Sequence, residues 1–136
     1  MSEAELDKLS TNGDKPNWCI KDPDRHIIFA VSWKKSAFSA LLLKSEEVAQ
    51  KMESRLRKPM EQFGYHLQGF ISRDAGGKTA DGFRYDYISQ GVGMTAESFS
   101  IKNGKVFYYI NIYMRTELLS ESEPVVGGLM DSFRWS

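Results

Sequence analysis

Apolar and polar residues alternate along two neighbouring runs, 94–101 and 106–113, in the second half of the chain. The tetrapeptide Lys102-Asn103-Gly104-Lys105 separates them, and Asn-Gly is the strongest short signal for a two-residue β-hairpin loop. With Asn103 and Gly104 as that loop, Glu97 pairs with Ile110. The sequence therefore predicts a hairpin of fixed register, whose two faces can be read off by alternation.

The two predicted faces differ in character. The isoleucine face comprises Thr95, Glu97, Phe99, Ile101, Val106, Tyr108, Ile110 and Ile112. The aromatic face comprises Met94, Ala96, Ser98, Ser100, Phe107, Tyr109, Asn111 and Tyr113. We expect the isoleucine face to be core. The aromatic face has two open interpretations: a helix covers it, or Phe107, Tyr109 and Tyr113 form an exposed platform for a protein partner, because aromatic residues are enriched at interfaces.

Glu97 is the exceptional residue of the hairpin, because its carboxylate falls on the isoleucine face. A buried carboxylate without a partner is strongly unfavourable. Three interpretations are open: it lies at the rim of the sheet in water, it pairs with Arg84 or Arg115, or it lines a polar pocket. The third makes Glu97, Tyr85 and Tyr108 candidate pocket residues for a small molecule.

Other patterns predict the remaining elements. Extended segments are expected at 18–20, 26–33, 38–43, 65–73 and 83–88. A long helix begins after Ser45 as its N-cap, with a buried stripe formed by Val48, Ala49, Met52, Leu56, Met60 and Phe63. Pro59 is expected to kink this helix or to end its regular part near Lys58, and Gly64 is placed as the C-cap glycine.

A second helix is predicted to begin near Ser120 or Ser122, with Pro124 in its first turn. Gly127 and Gly128 weaken this helix, so we expect a close approach to the sheet at that point. The order of elements predicts an α+β fold: an antiparallel sheet of about six strands, with a long helix after the first strands and a C-terminal helix packed on it. Residues 1–16 read as a flexible N-terminal arm and 17–136 as a single domain.

Composition narrows the class of partner. The 136 residues include 18 basic and 18 acidic side chains, so no net charge favours nucleic acid or an anionic membrane. No apolar run is long enough to span a bilayer. The polar first 16 residues lack the apolar stretch of a signal peptide, which predicts a cytoplasmic protein, or an extracytoplasmic one if a leader has been removed.

Candidate chemistry is sparse. Cys19 is the single cysteine, which excludes an internal disulfide. His26 and His66 have no second histidine or cysteine at a ligand spacing, and the glycine pairs do not lead from a strand into a phosphate-binding helix. We therefore expect no enzyme activity, no cofactor and no metal.

Two segments resemble the PsbP-like fold family. They are the tail Ser132-Phe133-Arg134-Trp135 after a helix, and the late strand Val106–Ile112, rich in Tyr and Ile. The similarity covers about residues 17–135 of a family that includes PsbP, Ran-binding Mog-type proteins and small bacterial proteins of unassigned function. It implies a non-enzymatic protein that docks to another protein. The alternative is a small-molecule-binding protein or an enzyme with a pocket near Glu97 and the sheet tyrosines.

Overall fold

A computed structural model describes residues 18–22, 26–35, 44–103 and 106–133. The described strands are β1 (Trp18–Asp22), β2 (Ile27–Lys35), β3 (His66–Ala75), β4 (Lys78–Ser89), β5 (Val92–Asn103) and β6 (Val106–Arg115). The helices are α1 (Ser45–Met60) and α2 (Leu119–Asp131), with short 3₁₀ turns at Glu61–Phe63 and Thr116–Leu118. The predicted arm at 1–16 and the predicted strand at 38–43 lie outside the described residues.

The six strands form one antiparallel sheet in the order β1-β2-β6-β5-β4-β3. Strands β3 to β6 follow one another as a meander. The last strand, β6, pairs on its other edge with β2 and so joins the meander to the β1–β2 pair. The central strand β5 is buried on both faces along Thr95–Ile101. This architecture confirms the predicted α+β fold, with one helix after the early strands and one at the C-terminal end.

Each face of the sheet packs against one of the two described helices. Helix α2 covers the isoleucine face, where Val126 and Met130 are buried with Phe29, Ile110 and Ile112. Helix α1 lies against β4 and β5 on the aromatic face, where its partly buried side chains Met52, Leu56 and Met60 pack on Phe83, Tyr85 and Ala96. Because both faces are covered, neither one is simply a solvated surface.

The register of the central hairpin differs from the prediction by two residues. Asn103 pairs with Val106, and Glu97 pairs with Ile112 rather than Ile110. The observed pairing thus excludes the register that was predicted with Asn103 and Gly104 as a two-residue loop. A shift of two residues keeps every side chain on its predicted face, since strand side chains alternate with a period of two.

Helix α1 departs from the prediction at both ends. Ser45 is already helical, and its hydroxyl donates a hydrogen bond to Asp81 instead of capping the helix. The regular helix continues through Pro59 to Met60, so Pro59 does not end it at Lys58. Gly64 ends the following 3₁₀ turn with φ of 72°, which confirms its capping role. Phe63 was expected to be buried, but 42% of it is exposed.

Helix α2 begins at Leu119, directly after the 3₁₀ turn that leaves β6, so Pro124 lies beyond the first turn. The expected close approach at Gly127 and Gly128 is wrong, because an added Cβ would meet no atom within 4 Å at either position. The close approach occurs in β4 instead, where a Cβ on Gly82 would lie 1.9 Å from the Ser98 carbonyl oxygen.

Candidate functional site

An apolar groove of about 320 Å³ lies on the isoleucine face, between the C-terminal end of α2 and strands β2 and β6. Its lining consists of Phe29, Val31, Trp33, Tyr108, Leu129, Ser132 and Phe133. No charged side chain is among these described lining residues. These described residues therefore make the groove suited to an apolar group.

Strand pairing explains why the groove residues meet. Trp33 of β2 lies opposite Tyr108 of β6, and their ring centroids are 6.0 Å apart. Trp33 is 44% exposed, so part of its ring faces solvent. On the other side, the Phe29 and Phe133 ring centroids are 6.3 Å apart. The groove lining thus includes two aromatic pairs at the centroid distances typical of favourable ring contacts.

Gly76 holds the end of α2 in place. It has φ of 60°, and a Cβ there would lie 2.0 Å from the Phe133 carbonyl oxygen. Just before Phe133, the hydroxyl of Ser132 donates a hydrogen bond to the Leu129 carbonyl oxygen at 2.6 Å. The backbone after α2 therefore lies directly against the β3–β4 turn, and this contact places Phe133 in the groove.

A cluster of four charges lies under α2 on the same face. Glu97 is fully buried, and Arg73 donates two hydrogen bonds to its carboxylate, at 2.7 and 3.0 Å. Glu123 of α2 accepts from Arg73 at 2.9 Å and lies 3.0 Å from a guanidinium nitrogen of Arg84. Arg84 also lies 3.6 Å from Glu97. Two arginines of neighbouring strands are thus sandwiched between two carboxylates.

This cluster answers the question about Glu97. Pairing is the interpretation that the structure supports: Arg84 is one partner, but the close partner is Arg73, which sequence reasoning missed. Arg115 is not involved and lies near Glu117, at 3.7 Å. Hydrogen bonds from Arg73 to Glu97 raise the pKa of Arg73 above its ordinary value, so the guanidinium remains charged.

The three candidate pocket residues do not meet at one site. Tyr85 lies opposite Ala96 on the aromatic face, whereas Glu97 and Tyr108 lie on the isoleucine face. Tyr85 is buried beside Phe83, with ring centroids 5.6 Å apart, and Tyr108 lines the groove. The sheet itself separates the two faces, so no single pocket includes all three side chains.

The three candidate partner-binding residues differ in exposure. Phe107 is only 1% exposed and lies beside Tyr109, with ring centroids 6.4 Å apart. Tyr109 and Tyr113 are partly buried, and burial raises the pKa of both hydroxyls. Phe107 therefore offers almost no surface to a partner. Binding through Tyr109 and Tyr113 stays a prediction.

A second buried carboxylate, Glu53 of α1, was also missed. Arg57 binds it with two hydrogen bonds, one turn further along the helix, and the Tyr65 hydroxyl donates to it at 3.1 Å. The spacing of Glu53 and Arg57 is the i, i+4 arrangement that favours ion pairs on a helix, which was the available signal. Burial and the nearby Glu53 charge raise the pKa of Tyr65.

The described residues offer neither a metal site nor a membrane-spanning helix. They contain no group of three or more His, Cys, Asp or Glu side chains placed to bind a metal. Neither α1 nor α2 has both the length and the apolar character that a bilayer-spanning helix needs.

Comparisons with known proteins identify the fold. No protein-family model and no curated protein matches the sequence. Among solved structures, cyanobacterial PsbP (CyanoP) from Synechocystis sp. PCC 6803 is similar, with a TM-score of 0.62 and 11% identity over 93% of this chain and 79% of that one. The chain has a PsbP-like fold.

Two other structures share this fold. PA94 from Pseudomonas aeruginosa, a protein of unknown function, has a TM-score of 0.61 and 17% identity over 88% of this chain and 81% of that one. LpqN of Mycobacterium tuberculosis, which is involved in cell envelope biogenesis, has a TM-score of 0.54 and 15% identity over 82% of this chain and 64% of its own. The TM-scores establish the shared fold. Sequence identities this low do not carry the function over, which has to be inferred from the site.

Proposed function

We propose that this protein is a non-enzymatic accessory module that binds an apolar segment of a partner protein in the groove between α2 and strands β2 and β6. The observation that carries the proposal is the groove itself, in which Trp33 is 44% exposed beside Tyr108. Large aromatic side chains at such a position are the residues that most often dominate binding energy.

The dimensions and lining of the groove favour a protein segment over a small molecule. Its volume of about 320 Å³ is at the lower end of the range of ligand pockets, roughly 300–1,000 Å³. Small-molecule sites also carry a small number of precisely placed polar groups, whereas Ser132 is the sole non-aromatic polar residue among the described residues that line this groove. A pair of apolar side chains on a partner would need no such groups.

The similar structures support an accessory role. None of the three names denotes an enzyme, and LpqN is involved in cell envelope biogenesis. The four-charge cluster also supports a non-catalytic reading, since each carboxylate in it is engaged by at least one guanidinium. A general base needs a carboxylate that can reach a substrate proton.

Site-specific photo-crosslinking tests the proposal. A photoreactive phenylalanine analogue replaces Trp33 in one variant, Tyr109 in a second and Phe70 in a third, and crosslinked proteins from the source organism are identified by mass spectrometry. Phe70 is the matched control, because it is 52% exposed and lies on the opposite face, beside Phe83. We expect a partner that crosslinks at Trp33 and not at Phe70.

Titration of the purified partner then measures the contribution of the groove. Trp33→Ala is expected to weaken binding at least about tenfold, because truncated aromatic hot spots lose roughly 2 kcal/mol or more. Phe70→Ala should change the Kd less than about twofold. Equal effects of the two variants would contradict the groove proposal. Crosslinking confined to Tyr109 would move the binding site to the aromatic face, and binding of a small molecule that Trp33→Ala abolishes would support the alternative function.

A further inference from the structure

The side chains of the four-charge cluster are arranged in three layers. Glu97 forms the inner layer and is fully buried. Arg73 and Arg84, from β3 and β4, form the middle layer, with side chains 23% and 22% exposed. Glu123 forms the outer layer and has the most exposed side chain of the four, at 36%. The two guanidinium groups are thus fixed from below by the sheet and covered from above by one side chain of α2.

The outer carboxylate is gripped by both arginines. One oxygen of Glu123 accepts from Arg73 at 2.9 Å, and the other lies 3.0 Å from Arg84. Two guanidinium groups that each engage one oxygen are a common means of carboxylate recognition, because their planar donors match the planar acceptor. Glu123 therefore occupies this position as a ligand would occupy it.

Glu97 orients the arginines without saturating them. It takes two donors from Arg73 and lies 3.6 Å from Arg84. The Nε atom of Arg84 is buried and has no hydrogen-bond partner among the described residues. Buried donors without partners are rare in folded proteins. Glu97 thus leaves the donors of Arg84 unsaturated.

We propose that Arg73 and Arg84 form a carboxylate-binding site, that Glu123 occupies it in cis, and that an Asp or Glu side chain of a partner takes the place of Glu123. The cluster as it stands carries two positive and two negative charges, whereas displacement of Glu123 leaves one net positive charge at a partly exposed position. The exchange would also loosen helix α2 from the sheet, because Glu123 links this helix to Arg73 of β3 and Arg84 of β4. This site is separate from the apolar groove and does not depend on the proposed function.

Acetate binding to a Glu123→Ala variant tests the site directly. Sodium acetate replaces sodium chloride at constant ionic strength, and the ¹H–¹⁵N signals of the Arg73 and Arg84 Nε groups are followed by NMR. We expect saturable shifts of both signals in Glu123→Ala, with half-saturation in the millimolar range. We expect no such shift in the unmodified protein at the same concentrations, because a tethered carboxylate has a large effective concentration.

Two variants serve as controls. Glu117→Ala removes an equivalent charge, because Glu117 is 70% exposed and makes a single 3.7 Å contact with Arg115. It should bind no acetate. Arg84→Lys in the Glu123→Ala background keeps the charge but loses the planar donors, and it should weaken acetate binding by roughly tenfold.

Several results would overturn the proposal. They are a linear shift of the Arg signals in Glu123→Ala, the same response in Glu117→Ala, and the same response in the unmodified protein. Phosphate that binds as tightly as acetate would contradict a carboxylate-specific site. If Glu123→Ala fails to fold, Glu123→Ser provides the same vacancy, and an acetate-dependent rise in its Tm that chloride does not reproduce supports the site.

Discussion

Removal of the buried carboxylate of Glu97 is the most demanding test of the structure. Glu97→Ala leaves Arg73 and Arg84 facing each other with only the outer Glu123 as a counter-charge. Removing one partner of a buried ion pair costs about 3–5 kcal/mol. The two hydrogen bonds from Arg73, at 2.7 and 3.0 Å, lead to a similar figure of roughly 3–6 kcal/mol, since bonds to charged groups contribute about 1.5–3 kcal/mol each.

Urea unfolding followed by far-UV circular dichroism measures this loss. We expect Glu97→Ala to lower the free energy of unfolding by about 4 kcal/mol, which for a chain of this length lowers the Tm by roughly 12–15 °C. Glu123→Ala is the matched control, because its side chain is 36% exposed and its ion pairs are screened by solvent; it should lose about 1 kcal/mol or less.

The comparison between these two variants is decisive. If Glu97→Ala loses no more stability than Glu123→Ala, the buried pair does not hold the sheet together in the way described. Should Glu97→Ala fail to fold, Glu97→Gln keeps the shape and one acceptor, and it should still lose more than Glu123→Ala. Replacing both partners by apolar residues, Arg73→Met with Glu97→Leu, should recover most of the loss, because no buried charge is then left unpaired.

Three further predictions concern single side chains. Burial raises the pKa of Tyr87 to about 12, so its neutral form stabilises the fold fully below about pH 10 and this contribution is lost as the pH rises towards 12. Tyr87→Phe should therefore reduce, by about 1 kcal/mol, the fall in unfolding free energy between about pH 8 and pH 11, measured by urea titration. Gly128→Ala should raise the unfolding free energy by up to about 1 kcal/mol, since its added Cβ meets no atom and alanine favours the helix; an unchanged or lower urea midpoint would contradict this. Gly82→Ala should lower the urea midpoint or prevent folding, because its Cβ would overlap the Ser98 carbonyl oxygen, and normal stability would refute the close packing of β4 on β5.

Alternation along the strands was the most informative part of the sequence. It placed Ile110 and Ile112 on one face and Phe107 and Tyr109 on the other, and the structure keeps this division although the hairpin register moved by two residues. A period of two is local and depends only on backbone geometry. The same information could not fix the register, because alternation is unchanged when the pairing moves by two residues.

For the helices too, local sequence patterns left tertiary features undetermined. The buried stripe of α1 was predicted from residues three and four apart, yet Glu53 within it is as buried as its apolar neighbours. A carboxylate is read from sequence as exposed. Arg57 is a local partner at i+4, whereas the Tyr65 hydroxyl reaches Glu53 through the fold, and the two together make the burial tolerable. The start of α2 was placed late, because its first turns contain Ser and Glu rather than a clear apolar period.

The sequence by itself determined the class of fold, the two faces of the central hairpin and the position of a carboxylate on an apolar face. Only the tertiary structure decided that Arg73, 24 residues earlier, is the close partner of Glu97, and that β2, β6 and the end of α2 enclose a groove. Local patterns depend on neighbours two to four residues away, whereas ion pairs and cavities depend on which strands lie side by side and where each helix crosses them.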